Sequence, residues 1–285
     1  MNRFGRNFIS KVYIDSRLKR IESNSDSDFW VELPETLEME QNVGMIITDI
    51  TIPSTWYNIN TNNNNFYFRS FVPGQELVAY NDFVITLEPQ NYNLTELANA
   101  LHALMNIAAG GEVYTVNERA QTGDIQFGSF QANLRTRILN DDELKTRVGG
   151  TWNGGYYDMN NLRTLNSMLR INNLNNDARS IQFPINTVRT GLVDLNPIHN
   201  VYITSTKLSN YSTISLNGQR NVLKKLIVDA TFGGMNTYDY AFVEEAINVS
   251  GLSIKLVDFQ IRDVNSNIID LNGSHVSFAC IFVPL

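Results

Sequence analysis

The chain has 285 residues, 43% of them hydrophobic, enough to fill one large core or two small ones. Its formal charge of −7 and pI near 5.0 exclude a protein whose whole surface binds nucleic acid. No stretch approaches the roughly 20 consecutive apolar residues of a membrane span, and the opening MNRFGRNFIS lacks the apolar core of a secretory signal, so a soluble chain not exported by that route is expected.

The single cysteine, Cys280, lies in an apolar run, which rules out an intrachain disulfide, fits a reducing compartment and reads as a small buried hydrophobe. Charge is uneven. The first twenty residues carry Arg3, Arg6, Lys11, Arg17, Lys19 and Arg20 against Asp15 alone, a cationic arm that suits a genome, an acidic neighbour or solvent. Asparagine, about an eighth of the chain, clusters at Asn62 to Asn65 and favours turns. Many short apolar runs between Asn- and Gly-rich turns read as all-β.

In chain order, Phe29, Val31 and Leu33 alternate with polar neighbours as a strand that Pro34 is expected to end. Met45 to Ile52 predicts a second strand with Ile46, Thr48, Ile50 and Ile52 on one face. The Asn tract reads as the loop of a hairpin between Trp56 to Ile59 and Phe66 to Phe68, and a strand with Phe83, Ile85 and Leu87 follows. At Asn93 the period changes. Asn93 and Glu96 form a capping arrangement, Leu94, Leu97, Leu101, Leu104, Met105 and Ala108 fall at helical spacing, and Gly110 and Gly111 close the helix.

Short strands are expected at 113–116, 124–130 and 134–139, then helices at 141–148 and 160–170. Strands resume at 181–185, 200–204, 225–230, 252–262 and 276–283. In the fourth of these, Leu252, Ile254 and Leu256 give way to Val257, Phe259 and Ile261, a change of parity that predicts a β-bulge near Val257. The final run is apolar on both faces and predicts a central strand, so loss of the last ten residues is expected to abolish folding. The residues alone thus predict a mainly β sandwich interrupted by mixed α/β sequence from about 93 to 185.

Chemistry is sparse. His102, His199 and His275 are unpaired in sequence, so neither a metal site nor a cofactor is expected. A Gly-x-Ser-x-Gly elbow, a phosphate loop and a dinucleotide-binding turn are all absent. Adjacent carboxylates such as Asp141 with Asp142 and Glu244 with Glu245 read as solvated charge. Two well-separated carboxylates of a glycoside hydrolase stay open within a sandwich. Four Asn-x-Ser/Thr sequons, at Asn93, Asn210, Asn248 and Asn272, match chance in so Asn-rich a chain. Trp152, Tyr156 and Tyr157 in a Gly/Asn-rich stretch read as local packing or as an exposed contact loop for a sugar or a protein.

Five segments in order, VYIDSRLKR at 12–20, DFWVELP at 28–34, IITDITIPSTWYNI at 46–59, LNPIHNVYITSTKL at 195–208 and FQIRDVNSNIIDLNGSHVSFACIF at 259–282, resemble the minor capsid (penton) proteins of the virophage and polinton-like virus group. The residues from about 93 to 185 match least. The resemblance implies a single jelly-roll β-sandwich with an inserted mixed α/β region: a basic N-terminal arm and linker at 1–28, the jelly roll at 29–92 with 186–285, and the insertion at 93–185. It also implies a structural, non-enzymatic role: a homopentamer at each fivefold capsid vertex, made in the host-cell cytoplasm and sited in the virion, with the major capsid protein and other minor capsid proteins as partners.

Under that implication Arg3, Arg6, Arg17, Lys19 and Arg20 form an assembly arm that points inward, toward the genome or beneath adjacent capsomers. Three other readings stay open: a cement or triplex-like capsid protein between capsomers, a glycan-binding β-sandwich and a β-sandwich hydrolase.

Overall fold

A computed structural model describes residues 11–72, 74–75, 80–131, 133–141, 144, 164–171, 187–208 and 220–285. They belong to two compact units, Met1–Trp56 with Ile198–Leu285, and Tyr57–Pro197.

The chain enters the first unit through β1 (Lys11–Asp15), which ends where the Asp15 carboxylate accepts from the Arg17 amide at 2.9 Å and opens a 3₁₀ turn over Ser16–Leu18. β2 (Asp28–Glu38) buries Phe29, Val31 and Leu33 as the alternation predicts. β3 (Val43–Pro53) departs from the predicted pattern. Its core face carries Met45 and Ile47, then Ile50 and Ile52. Asp49 has a φ of 51°, and this left-handed residue shifts the parity, so Ile46 and Ile50 do not share a face.

In the second unit the Asn tract is a loop but not a hairpin. β4 (Asn65–Phe71) pairs with β5 (Tyr80–Thr86), while Ile59 bridges to Gln90. The helix α1 (Leu94–Ala109) has the predicted capping box, and Gly110 ends it at a φ of 76°. Leu97, Ala98, Leu101 and Met105 form its buried stripe. A hairpin of β6 (Tyr114–Arg119) and β7 (Asp124–Ser129) follows, then β8 (Arg135–Ile138) beside β4 and β9 (Thr187–Arg189) beside β7.

The two three-stranded sheets, β5-β4-β8 and β6-β7-β9, share one core with α1. Within it the Phe66 and Phe127 rings stack at 5.4 Å. The helix predicted at 160–170 is a turn over its described part. Thr164 is held in a bridge to Asn65, and Arg170 has a φ of 56°, which no α-helix accommodates. The strand expected at 181–185 and nearly all of the helix at 141–148 lie outside the described residues.

The first unit is completed by β10 (Asn200–Thr204), β11 (Val222–Ile227), β12 (Met235–Tyr238), β13 (Ile247–Asn248), β14 (Ser253–Arg262) and β15 (Ser277–Pro284). One sheet has the order β1-β15-β3-β12, with β13 also on β3, and the other β11-β10-β14-β2; all pairs are antiparallel. Because β1, β2, β3 and β10 alternate between the sheets, and β14 and β15 do so again, the unit is a jelly-roll sandwich. Its core takes Ile14, Met45, Phe278 and Cys280 from one sheet and Phe29, Ile203, Leu226 and Phe259 from the other. Phe259 and Phe278 meet edge to face at 4.8 Å, a geometry worth about 1 kcal/mol beyond the area buried.

Two bulges reconcile pattern with burial. On β3, Asp49 and Ile50 stand opposite the single residue Phe278. On β2, the four residues Leu33 to Thr36 stand opposite Lys255, whose ammonium donates to the carbonyls of Leu33 (2.7 Å) and Pro34 (2.9 Å). This is the parity change expected near Val257, but it falls opposite Lys255 with the extra residues on the partner strand, and Leu256, expected on the face of Ile254, is turned outward. It also explains why β2 continues past Pro34 to Glu38: an edge strand at a bulge needs no donor there.

The units divide at Trp56/Tyr57 and Pro197/Ile198, not at the 92/93 and 185/186 joins expected from the change to helical spacing. Helical spacing first appears at Leu94, but β4 and β5 already pack with α1, so the second unit begins before its helix does.

Candidate assembly surface

No group of three His, Cys, Asp or Glu side chains that could hold a metal ion occurs among the described residues, and none of their helices is long and apolar enough to cross a membrane. His102 lies 3.8 Å from the exposed Glu112. His275 approaches Asp26 at 3.1 Å, and Lys19 reaches the same carboxylate at 2.6 Å. Burial pushes the Asp26 carboxyl up, but its bonds to Lys19 and His275 outweigh this and hold it below the ordinary value.

The buried charges are structural. Arg69 donates to both carboxylate oxygens of Asp82, at 2.6 and 2.8 Å, and lies 3.4 Å over the Tyr80 ring. Burial raises the Asp82 carboxyl against the pull of Arg69. Asp258 in turn gathers the turn after β10, accepting from the Ser205 and Thr206 hydroxyls and from the amides of Thr206 and Lys207.

Of the basic residues singled out in the sequence, Lys11, Arg17, Lys19 and Arg20 are described, and each is ion-paired within its own chain: Lys11 with Asp49, Arg17 with Asp15, Lys19 with Asp26, Arg20 with Glu22 and Glu32. The last three sit just beyond β1, which is itself hydrogen-bonded to β15 from Lys11 to Asp15, so this part of the segment is built into the jelly roll. Arg3 and Arg6 lie outside the described residues, as do Trp152, Tyr156 and Tyr157.

The surface that sequence reasoning missed lies at the opposite edge of the same sheet. After β12, the seven residues from Asp239 to Glu245 are all exposed, and they include Tyr240, Phe242 and Val243. The Tyr240 and Phe242 rings stack 6.3 Å apart at 7°. So apolar an exposed run has no role in the core. The legible signal is compositional: between Leu226 and Ile254 the sequence has Asp229, Asp239, Glu244 and Glu245 and no lysine or arginine. Glu245 pairs with Lys224 of β11, and Asp239 hydrogen-bonds Asp49, which is also ion-paired with Lys11 of β1.

No protein-family model and no curated protein matches the chain. Among solved structures, the crystal structure of the mavirus penton protein is similar over 97% of this chain and 99% of its own, with a TM-score of 0.52 at 7% sequence identity. At that identity the likeness is one of fold.

Proposed function

We propose that the chain is a structural protein of a virus particle, the penton subunit that closes the fivefold vertices of an icosahedral capsid as a homopentamer. The observation that carries this reading is the jelly-roll strand order, together with end-to-end similarity of fold to the mavirus penton protein. A jelly roll alone hosts many functions. A likeness that runs through the jelly roll and the unit inserted between β3 and β10 is more specific than the jelly roll alone.

In this role the work is mechanical, not catalytic. The partners are four further copies, the major capsid protein and other minor capsid proteins, and the site of action is the virion after synthesis in the host cytoplasm. The basic residues Arg3, Arg6, Arg17, Lys19 and Arg20 take part in assembly, toward neighbouring capsomers or the genome. On the same reading Trp152, Tyr156 and Tyr157 serve as contact residues toward a partner.

Purified particles imaged with the tagged chain test the proposal. Density of the tag at the fivefold positions, with about five copies per vertex, is expected. Density between capsomers identifies a cement protein instead and overturns the vertex assignment.

A further inference from the structure

We infer that the oxygen cluster of Asp141, Thr164 and Asn166 in the second unit binds a hard divalent cation, calcium by its ligand chemistry, which ties together the two ends of the segment 142–163. Asp141 precedes that segment, and Thr164 and Asn166 follow it. Both ends are anchored on β4. Thr164 forms a parallel bridge to Asn65, and the Leu165 amide donates to the Asn65 carbonyl at 2.8 Å, while the Leu139 amide donates to the Tyr67 carbonyl at 3.0 Å.

Hydrogen-bond accounting points to an ion. Asn166 is 0% exposed, and both of its side-chain N–H groups are spent: Nδ2 donates to the Leu139 carbonyl at 2.9 Å and to Asp141 Oδ1 at 2.8 Å. The Thr164 hydroxyl donates to the same Asp141 oxygen at 2.7 Å. Asn166 Oδ1 is buried with no hydrogen-bond partner among the described residues. Flipping the carboxamide does not help, because its oxygen would then face the Leu139 carbonyl and the Asp141 carboxylate. A buried acceptor without a partner is costly, so the space beside Asn166 Oδ1 calls for positive charge.

The three side chains offer that space oxygen alone: the donors of Thr164 and Asn166 are used, and the Asp141 carboxylate has none. Calcium takes about six to eight oxygens, from carboxylates, amide and backbone carbonyls and water, in flexible geometry, whereas magnesium demands a near-ideal octahedron. The spacing of His102, His199 and His275, which argues against zinc or iron, has no bearing on such an ion. Asp142 and Glu143 follow Asp141 in sequence, so the adjoining segment is acidic. Tyr67 reports on the same space. Burial raises its phenol, a hydrogen bond from Asn65 opposes this, and the Asp141 charge adds to the rise.

An ion shared by residues on both sides of 142–163 acts as a cross-link and restricts the unfolded chain as well as the folded one. Trp152, Tyr156 and Tyr157 lie within the segment whose ends it holds.

Calcium alone, added to the full chain after chelation, tests this. With one carboxylate the dissociation constant belongs on the order of 10⁻⁴–10⁻³ M. The unfolding midpoint of the second unit should rise by about 3–6 °C at ~10 mM calcium, against sodium chloride of the same ionic strength. Asp141→Asn keeps an acceptor oxygen for Thr164 and Asn166, so it should unfold cooperatively in chelator and lose the calcium shift. Terbium, which takes calcium's oxygen sites, should luminesce on excitation of tyrosine, and Tyr67→Phe should remove most of that signal.

No calcium shift, an equal shift with magnesium, a shift that Asp141→Asn retains, or terbium luminescence that Tyr67→Phe leaves unchanged overturns the site and leaves Asn166 Oδ1 to a buried water. If Asp141→Asn does not fold, the calcium shift of the native chain and the terbium result for Tyr67→Phe decide.

Discussion

The carboxamide of Asn58 holds the backbone of Tyr92 from both sides, accepting from its amide at 2.9 Å and donating to its carbonyl at 2.7 Å. It also donates to the carbonyl of Leu195 at 3.2 Å. The side chain is buried, so no water replaces it. Asn58→Ala is expected to lower the stability of the second unit by about 2 kcal/mol, the cost of stranding buried backbone groups. Asn58→Asp keeps the acceptor but loses the donor and recovers little. Urea unfolding of the three proteins checks this, and an Asn58→Ala midpoint equal to that of the wild type refutes it.

Asn106 and Asn236 do the same work elsewhere. Asn106 accepts from the amides of Val113 and Tyr114, and Asn236 from those of Asp229 and Ala230. The sequence announced turns through its asparagines but not that several would be buried staples, because a side-chain amide reveals its backbone partners only after the fold brings them close. Patterns with a strong period were legible: the capped helix α1, the central β15, and the parity change in β14. The bulge at Asp49 was not, since Ile46, Thr48, Ile50 and Ile52 form a perfect alternation that only the left-handed Asp49 breaks. The acidic bias around Asp239 to Glu245 was legible, but the exposure of Tyr240, Phe242 and Val243 was not, because an apolar run in a sequence reads as core until its exposure is known.

Among the described residues Asp258 is the most heavily hydrogen-bonded carboxylate of the jelly roll, and its side chain lies out of solvent. Asp258→Ala leaves the amides of Thr206 and Lys207 without their acceptor and is expected to lose about 3 kcal/mol. Asp258→Asn, which retains one acceptor oxygen, should fall between. Thermal unfolding orders the three proteins, and an alanine variant as stable as the asparagine variant would contradict the role assigned to the carboxylate.

Burial pushes the Cys280 thiol up to about 12, so it is not ionised at neutral pH. It lines an apolar pocket with Val12, Ile14, Met45, Val257, Phe259 and Phe282. A thiol-specific reagent should therefore leave the native chain untouched and label it fully in denaturant. Cys280→Ser puts a hydroxyl into this apolar surrounding and is expected to destabilise by about 1–3 kcal/mol. Labelling of the native chain at the rate of a free thiol would show that the strand opens.

The Asp49–Asp239 pair makes stability depend on pH. The hydrogen bond to Asp49, and its charge, raise the Asp239 carboxyl above its ordinary value, while the bond from Lys11 lowers Asp49. A group raised in the folded state contributes stability that is present below its unfolded pKa and lost as pH rises through its folded pKa. Asp239→Asn keeps a donor toward Asp49 at every pH. Wild type and variant should therefore melt alike in acid, and the variant should melt higher once the pH exceeds the range in which Asp239 titrates. A melting difference that does not change with pH, or that shrinks as pH rises, refutes the shared proton.

The two ends of the chain differ in what their loss removes. Residues 276–285 carry β15, which hydrogen-bonds β1 on one side and β3 on the other and places Val276, Phe278, Cys280 and Phe282 in the core. At about 1.5–3 kcal/mol for each fully buried large apolar side chain, their loss rivals the 5–15 kcal/mol that typically holds a domain folded. Removal also strands the paired edges of β1 and β3. The truncated chain is expected to be insoluble or to unfold without a cooperative transition. Deleting residues 1–20 takes away β1, an edge strand that gives the core Ile14, along with the bonds between Ser16 and Val276. That deletion should leave a cooperative transition at a lower midpoint, because β15 stays paired with β3. Calorimetry of both truncations decides the point: a cooperative transition after loss of 276–285, or none after loss of 1–20, would reverse the assigned weights of the central and edge strands.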